Sequence, residues 1–107
     1  MTIEQSNENG VLLLSVRGDL DASNAIALDE AFEKAFDNRQ YHITVECDQL
    51  NYISSAGVGV FISHLDSIAQ NNGELALRNL TPNVYAVFEM LNLHKLMKIY
   101  STKNQSQ

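Results

Sequence analysis

Basic charge is scarce in this 107-residue chain: seven Lys and Arg stand against thirteen Asp and Glu, for a formal net charge of −6. Binding to nucleic acid or to anionic lipid draws its affinity from clustered cationic side chains, so neither partner is expected. Cysteine is scarcer still. Cys47 is the single one, and an internal disulfide is excluded. No apolar run approaches the ~20 residues of a membrane-spanning helix, so no membrane insertion is expected. The start Met1-Thr2-Ile3-Glu4 has neither the basic nor the apolar region of a signal peptide, which makes a cytoplasmic location the expectation. Repeats and internal linkers are missing too. What is there is one domain's worth of core: the composition is 45% hydrophobic, enough for a chain of this size to bury roughly 60 to 70 per cent of its unfolded surface without a disulfide or a metal.

The β-forming segment Val11 to Arg17 follows the turn Asn7-Glu8-Asn9-Gly10, with Ile3 and Gln5 before the turn as an antiparallel partner, and this predicts an opening hairpin. Gly18-Asp19-Leu20-Asp21 breaks the strand. Ser23 or Asp21 can cap a helix over about residues 23 to 37, where Ala25, Leu28, Phe32 and Ala35 recur at helical spacing. His42 to Cys47 alternates like a strand, and 48–54 reads as a loop. Val58, Phe61, Ile62, Leu65, Ile68 and Ala69 then form one stripe of a helix over 55–70, ended by Asn72-Gly73. Glu74 to Arg78 reads as a strand. Thr81-Pro82 opens a third helix over 82–91 whose stripe is Val84, Phe88 and Leu91. Leu93 to Tyr100 suggests a last turn and an edge strand, and 101–107, without an apolar residue, a flexible C-terminal tail. Single helices between successive strands require crossovers. The fold class expected is α/β, a four- or five-stranded mixed β-sheet with α-helices packed on it and Phe32, Val45, Phe61, Leu65, Leu77 and Phe88 in the core.

Enzyme chemistry finds little support. Ser54 and Ser55 stand at a strand-loop-helix junction, but Tyr52 and Ile53 occupy the positions where a nucleophile elbow needs glycine. His64, nine residues on, lies ~13 Å along the helix from Ser55 and reads as a solvated helix histidine. Gly57-Val58-Gly59 has no third glycine at Ile62 and no following Lys-Ser or Lys-Thr, so a nucleotide loop is a remote alternative, as is a small hydrolase. His42, Cys47, His64 and His94 make no short ligand pairs. No metal, no cofactor and no catalytic residue is expected. A helix N-terminus with hydroxyls and small residues remains: Ser54 is expected to cap the helix with its hydroxyl and Ser55 to point outward, and the free N–H groups there tolerate a phosphate on a first-turn serine.

The stretch Asp48-Gln49-Leu50-Asn51-Tyr52-Ile53-Ser54-Ser55-Ala56-Gly57-Val58-Gly59-Val60-Phe61 resembles the signature of STAS domains, the family of anti-sigma factor antagonists and sulphate-transporter tails. Gly18-Asp19-Leu20-Asp21, Asn72-Gly73-Glu74-Leu75 and Thr81-Pro82-Asn83-Val84 with Leu91 match three further motifs of that family in order, over residues 1 to about 100. The resemblance places the family's phosphorylated serine on Ser55, with Ser54, which stands where the family carries Asp, as the alternative acceptor. It implies a non-enzymatic switch that docks through Asp21, Ser54, Ser55, Ala56, Gly57, Gly59, Val60 and Ser63 onto a serine-kinase anti-sigma factor or a related kinase. Phosphorylation would release it, and a PP2C-like phosphatase would reset it. Gly57, Gly59, Val60 and Ser63 are expected on the outward side of the helix. The alternative within the fold is a non-phosphorylated scaffold subunit of a lipid-transport or other assembly.

Overall fold

Asn9 and Gly10 both adopt positive φ, 54° and 84°, the conformation that a two-residue hairpin turn demands and that asparagine and glycine supply most readily. They join β1 (Thr2–Glu8) to β2 (Val11–Leu20) as an antiparallel pair in which Asn7 and Glu8 stay on the ladder. The structure, a computed structural model, describes residues 1–100. After the hairpin come α1 (Ala25–Asp37), β3 (His42–Glu46), β4 (Leu50–Ile53), α2 (Ser55–Gln70), β5 (Glu74–Arg78), α3 (Pro82–Met90), a 3-10 turn (Leu93–Lys95) and β6 (Lys98–Ile99). The tail expected over 101–107 lies outside the described residues.

Six strands form one mixed sheet in the order β1-β2-β3-β5-β6, with β4 paired to the far end of β2. The α/β architecture is the one expected, and the strand beyond the expected count is β4, in the segment read as a loop. β2 is long enough to serve two parallel neighbours on successive stretches: Leu12 to Ser15 pair with β3, and Gly18 to Leu20 pair with β4. The register stacks Leu12, Ile43 and Leu75 in one row and Leu14, Val45 and Leu77 in the next. All six are buried, because alternate residues of each strand point to the same face.

Onto that face the helices deliver three aromatic rings. Phe61 of α2 meets Phe32 of α1 at 5.9 Å and Phe88 of α3 at 5.7 Å, both edge to face, the geometry that the ring quadrupoles favour. Phe32, Val45, Phe61, Leu77 and Phe88 are buried as expected, whereas Leu65 is half-buried. The inward stripe of α2 runs Gly57, Val58, Phe61, His64 and Ile68. Ile62 is 45% exposed and Ala69 is also exposed, so the stripe is rotated from the apolar pattern of the sequence. His64, expected in solvent, is buried because α1 packs beside α2 and stacks Phe32 on its ring at 5.1 Å. Leu91, expected in the stripe of α3, is 51% exposed, since the helix ends at Met90.

The helix signals are kept with adjustments. Thr81 caps α3 by accepting from the Val84 N–H, with Pro82 in the first turn. α1 begins at Ala25, two residues later than expected, and neither Ser23 nor Asp21 caps it. Asn24 is spent elsewhere: its Oδ1 accepts from the Asp21 N–H and its Nδ2 donates to the Asp19 carbonyl. Those bonds compete with capping and fasten the turn between β2 and α1.

Candidate functional site

Two parallel strands end side by side, with Leu20 of β2 paired to Ile53 of β4. The chain therefore leaves the sheet twice at the same end of these strands, once into the turn at Asp21 and once into α2 at Ser54. The Ser54 N–H donates to the Leu20 carbonyl at 2.9 Å, which locks the start of α2 to the turn. Ser54 has extended backbone, φ −91° and ψ 172°, and its Oγ accepts from the Gly57 N–H at 3.2 Å. It is the N-cap, and its hydroxyl is committed to one of the helix's free donors.

Ser55 is the first helical residue and is exposed, and among the described residues its Oγ makes no hydrogen bond. Ala56 beside it is exposed. Gly59, Ile62 and Ser63 continue the same outward face, with Val60 half-buried at its margin. Ser63 turns its hydroxyl back to the Val60 carbonyl at 2.8 Å, so it offers solvent a quiet surface. Gly59 is open, with no atom within 4 Å of where a Cβ would stand. The face is small and flat near Ser55, and the exposed apolar residues Ile62 and Tyr52, 53% exposed at the end of β4, add contact area that the sequence pattern did not single out. Their signal was an apolar side chain one turn beyond Gly59 and another two residues before the cap.

Gly57 does not belong to that outward face. It is buried, and a Cβ there would stand 2.8 Å from Leu20 Cγ and 3.0 Å from Ile53 Cγ1. Glycine at this position lets α2 settle onto the paired ends of β2 and β4, so its contribution to the site is to set the depth of the helix rather than to meet a partner.

Asp21 lies in the turn next to the cap, partly exposed. Its Oδ1 accepts from the Ser23 hydroxyl at 2.6 Å and from the Ser23 N–H at 2.9 Å. The Ser23 side-chain bond, helped by the backbone one, holds the carboxyl below its ordinary range. Asp21 is therefore a fixed negative charge. Neither 18–24 nor 48–63 contains a lysine or arginine. A phosphate on Ser55 would meet the positive end of α2 and its free N–H groups but no cationic side chain from these segments. Among the described residues, the arrangement brings no base into hydrogen-bond reach of the Ser55 hydroxyl. It presents one serine hydroxyl without a hydrogen bond among the described residues, that of Ser55, together with small residues and an apolar margin.

Chains of known type share this architecture. The STAS domain family pattern matches residues 2–106. The anti-sigma F factor antagonist of Paenibacillus polymyxa is 30% identical over 104 residues, covering 96% of this chain and 89% of that protein. Among solved structures, an anti-sigma factor antagonist from Mycobacterium paratuberculosis superposes with a TM-score of 0.84 at 18% identity, over 92% of this chain and 84% of that one. The Bacillus cell fate determinant SpoIIAA in its phosphorylated form superposes with a TM-score of 0.76 at 17% identity, over 98% and 95% of the two chains. These two similarities concern the fold.

Proposed function

We propose, since this chain belongs to the STAS domain family, that it is a partner-switching regulator of the anti-sigma factor antagonist type. Its unphosphorylated form docks, through Ser55 and the outward face of α2, onto a serine-kinase anti-sigma factor or a related kinase. ATP-dependent phosphorylation of Ser55 releases it, and a PP2C-like phosphatase restores the docking state. The protein acts by binding, and no step of its own is catalytic.

The observation that carries this reading is the division of labour between adjacent serines. Ser54 Oγ is held by the Gly57 N–H, while Ser55 Oγ is exposed and without a partner. A kinase needs a hydroxyl that can be approached and whose oxygen lone pairs are not engaged by a donor. Ser55 meets that need and Ser54 does not. The sign of the switch follows from the surroundings. Docking covers Ala56, Gly59 and Ile62, and a phosphate of about −1.5 to −2 charge placed among them would have to be desolvated without a counter-charge, a cost of several kcal/mol for a buried ion.

Titration of the partner kinase against four forms of the protein, unmodified, phosphorylated, Ser55→Ala and Ser55→Asp, tests it. Ser55→Ala should bind constitutively, with ATP present or absent. Ser55→Asp should bind more weakly than the unmodified chain but less weakly than the phosphoprotein, because one carboxylate brings less charge and fewer acceptor oxygens. Equal affinities for the unmodified, Ser55→Asp and phosphorylated forms would contradict the switch and favour a scaffold subunit that is never phosphorylated.

A further inference from the structure

A second group of polar side chains lies between α1 and α2, away from the docking face. His64 is buried, with its side chain 7% exposed, and two carboxylates from successive turns of α1 face its two ring nitrogens. Asp29 Oδ1 is 2.6 Å from Nε2, a strong hydrogen bond. Glu33 Oε2 is 3.7 Å from Nδ1, beyond hydrogen-bond reach. Phe32 stacks on the ring at 5.1 Å and Phe36 meets it edge-on at 5.3 Å, so the imidazole is held in place from the sides as well as by Asp29.

We infer that His64 Nδ1 and Glu33 form a binding site for a zinc-like divalent cation, with Asp29 as the carboxylate that orients the histidine. The separation fits two ligands of one metal. Zinc holds nitrogen and oxygen ligands at about 2.0 to 2.2 Å, so two tetrahedral ligands are about 3.4 Å apart, and a 3.7 Å separation corresponds to an angle of about 120° at the metal. The Nδ1–Glu33 gap is therefore ready for a cation after a movement of a few tenths of an ångström. Glu33, with its side chain 61% exposed, is free to make it. In the tautomer whose Nε2–H donates to Asp29, the Nδ1 lone pair faces Glu33. A ligating histidine ordinarily donates its other ring N–H to a carboxylate in this way.

Charge points in the same direction. Asp29 and Glu33 bring two negative charges to one imidazole, and among the described residues neither has a lysine or arginine within ion-pair distance. A dication balances the pair. The side-chain atoms of Asp29, Glu33 and His64 that could ligate lie within 4.8 Å of one another, and water completes the coordination on the open side of Glu33. Imidazole with carboxylate selects zinc and its neighbours over magnesium or calcium, which prefer all-oxygen shells. The sequence concealed the site because its members stand 31 and 35 residues apart across two helices.

Calorimetric titration of the full chain with zinc chloride at pH 7.5, in a buffer that does not chelate, tests the assignment. One equivalent should bind in the micromolar range, cobalt should give the visible absorption of a four-coordinate nitrogen-oxygen site, and magnesium should not bind. Glu33→Gln, a change at an exposed side chain that leaves the core intact, should weaken zinc at least tenfold. His64→Gln should abolish binding, and Asp29→Asn should weaken it 10- to 100-fold. Nitrogen-15 spectra of the His64 ring should show zinc on Nδ1, a readout that does not depend on the His64 variant folding. No zinc binding below millimolar concentration, the same affinity in Glu33→Gln, or a zinc-induced shift at Nε2 would each overturn the assignment.

Discussion

Two glycines of α2, two residues apart in sequence and so on opposite faces of the helix, should respond in opposite ways to the addition of one methyl group. At Gly57 the new Cβ would stand 2.8 Å from Leu20 Cγ, 3.0 Å from Leu20 Cδ2 and 3.0 Å from Ile53 Cγ1. Carbon atoms rest ~3.5 to 4.0 Å apart, so the overlap is more than half an ångström. Leu20 and Ile53 are 0% and 4% exposed and cannot swing away into solvent. Overpacking of this kind costs about 1–3 kcal/mol, and alanine's better helix propensity returns at most about 1 kcal/mol. Gly57→Ala should therefore destabilise the domain by roughly 1–2 kcal/mol. At Gly59 no atom lies within 4 Å, and the propensity gain acts alone, so Gly59→Ala should stabilise by about 0.5–1 kcal/mol. Urea denaturation followed by circular dichroism reads both, with midpoints moving down for Gly57→Ala and up for Gly59→Ala at unchanged slope. A midpoint for Gly57→Ala at or above that of the unmodified protein would refute the assigned packing of α2 on the ends of β2 and β4. Gly59→Ala carries a second expectation. The stabilised variant should bind the partner less well, since the added methyl stands on the docking face.

Three further outcomes follow from the same packing. Phe61→Ala removes the ring that joins Phe32 and Phe88 and should cost about 3–5 kcal/mol, seen as a large fall in the denaturation midpoint. Cys47 is buried, and burial first, with the charges of Glu46 and Asp48, pushes its thiol up to about 12. A thiol reagent at pH 8 should leave it unmodified in the native protein and label it in denaturant. Asp21 is held below the ordinary aspartate range by its bonds to Ser23, so its contribution to stability is present above the unfolded value and is lost as pH falls through the lower folded one. A carboxyl titration followed by NMR should place its midpoint below that of a free aspartate, and Ser23→Ala should move it back up.

Much of this fold was legible because its main elements carry their period on the surface of the sequence. The hairpin announced itself in Asn7-Glu8-Asn9-Gly10, although Asn7 and Glu8 belong to the ladder and only Asn9-Gly10 turn, and the strands over 42–47 and 74–78 in their β-forming composition. The N-caps of α2 and α3 were legible in Ser54 and in Thr81-Pro82. β4 was not, because only Leu50 and Ile53 of its four residues are buried and so short a run has no alternation to read. The face of α2 was harder still. Ile62 continues the apolar pattern as well as Phe61 does, and what turns it outward is the placement of α1, whose Phe32 takes the ring of His64. The signal for His64 was its position three residues after Phe61 and four before Ile68, a polar side chain inside an apolar stripe. Gly57 gave no signal of its direction, since a residue without a side chain reveals its face only when Leu20 and Ile53 are known to meet it. At the candidate site the contrast between Ser54 and Ser55 was readable from capping chemistry. The neighbourhood of Asp21 required the parallel pairing of Leu20 with Ile53, which no local pattern encodes.

Site-resolved mass spectrometry of the chain after incubation with its partner kinase and ATP bears most directly on the switch. The peptide spanning Tyr52 to Gly59 should carry one phosphate, fragment ions should assign it to Ser55, and Ser54→Ala should still be modified while Ser55→Ala is not. Phosphate on Ser54, or a partner that binds and releases the protein while Ser55 stays unmodified, would contradict the account.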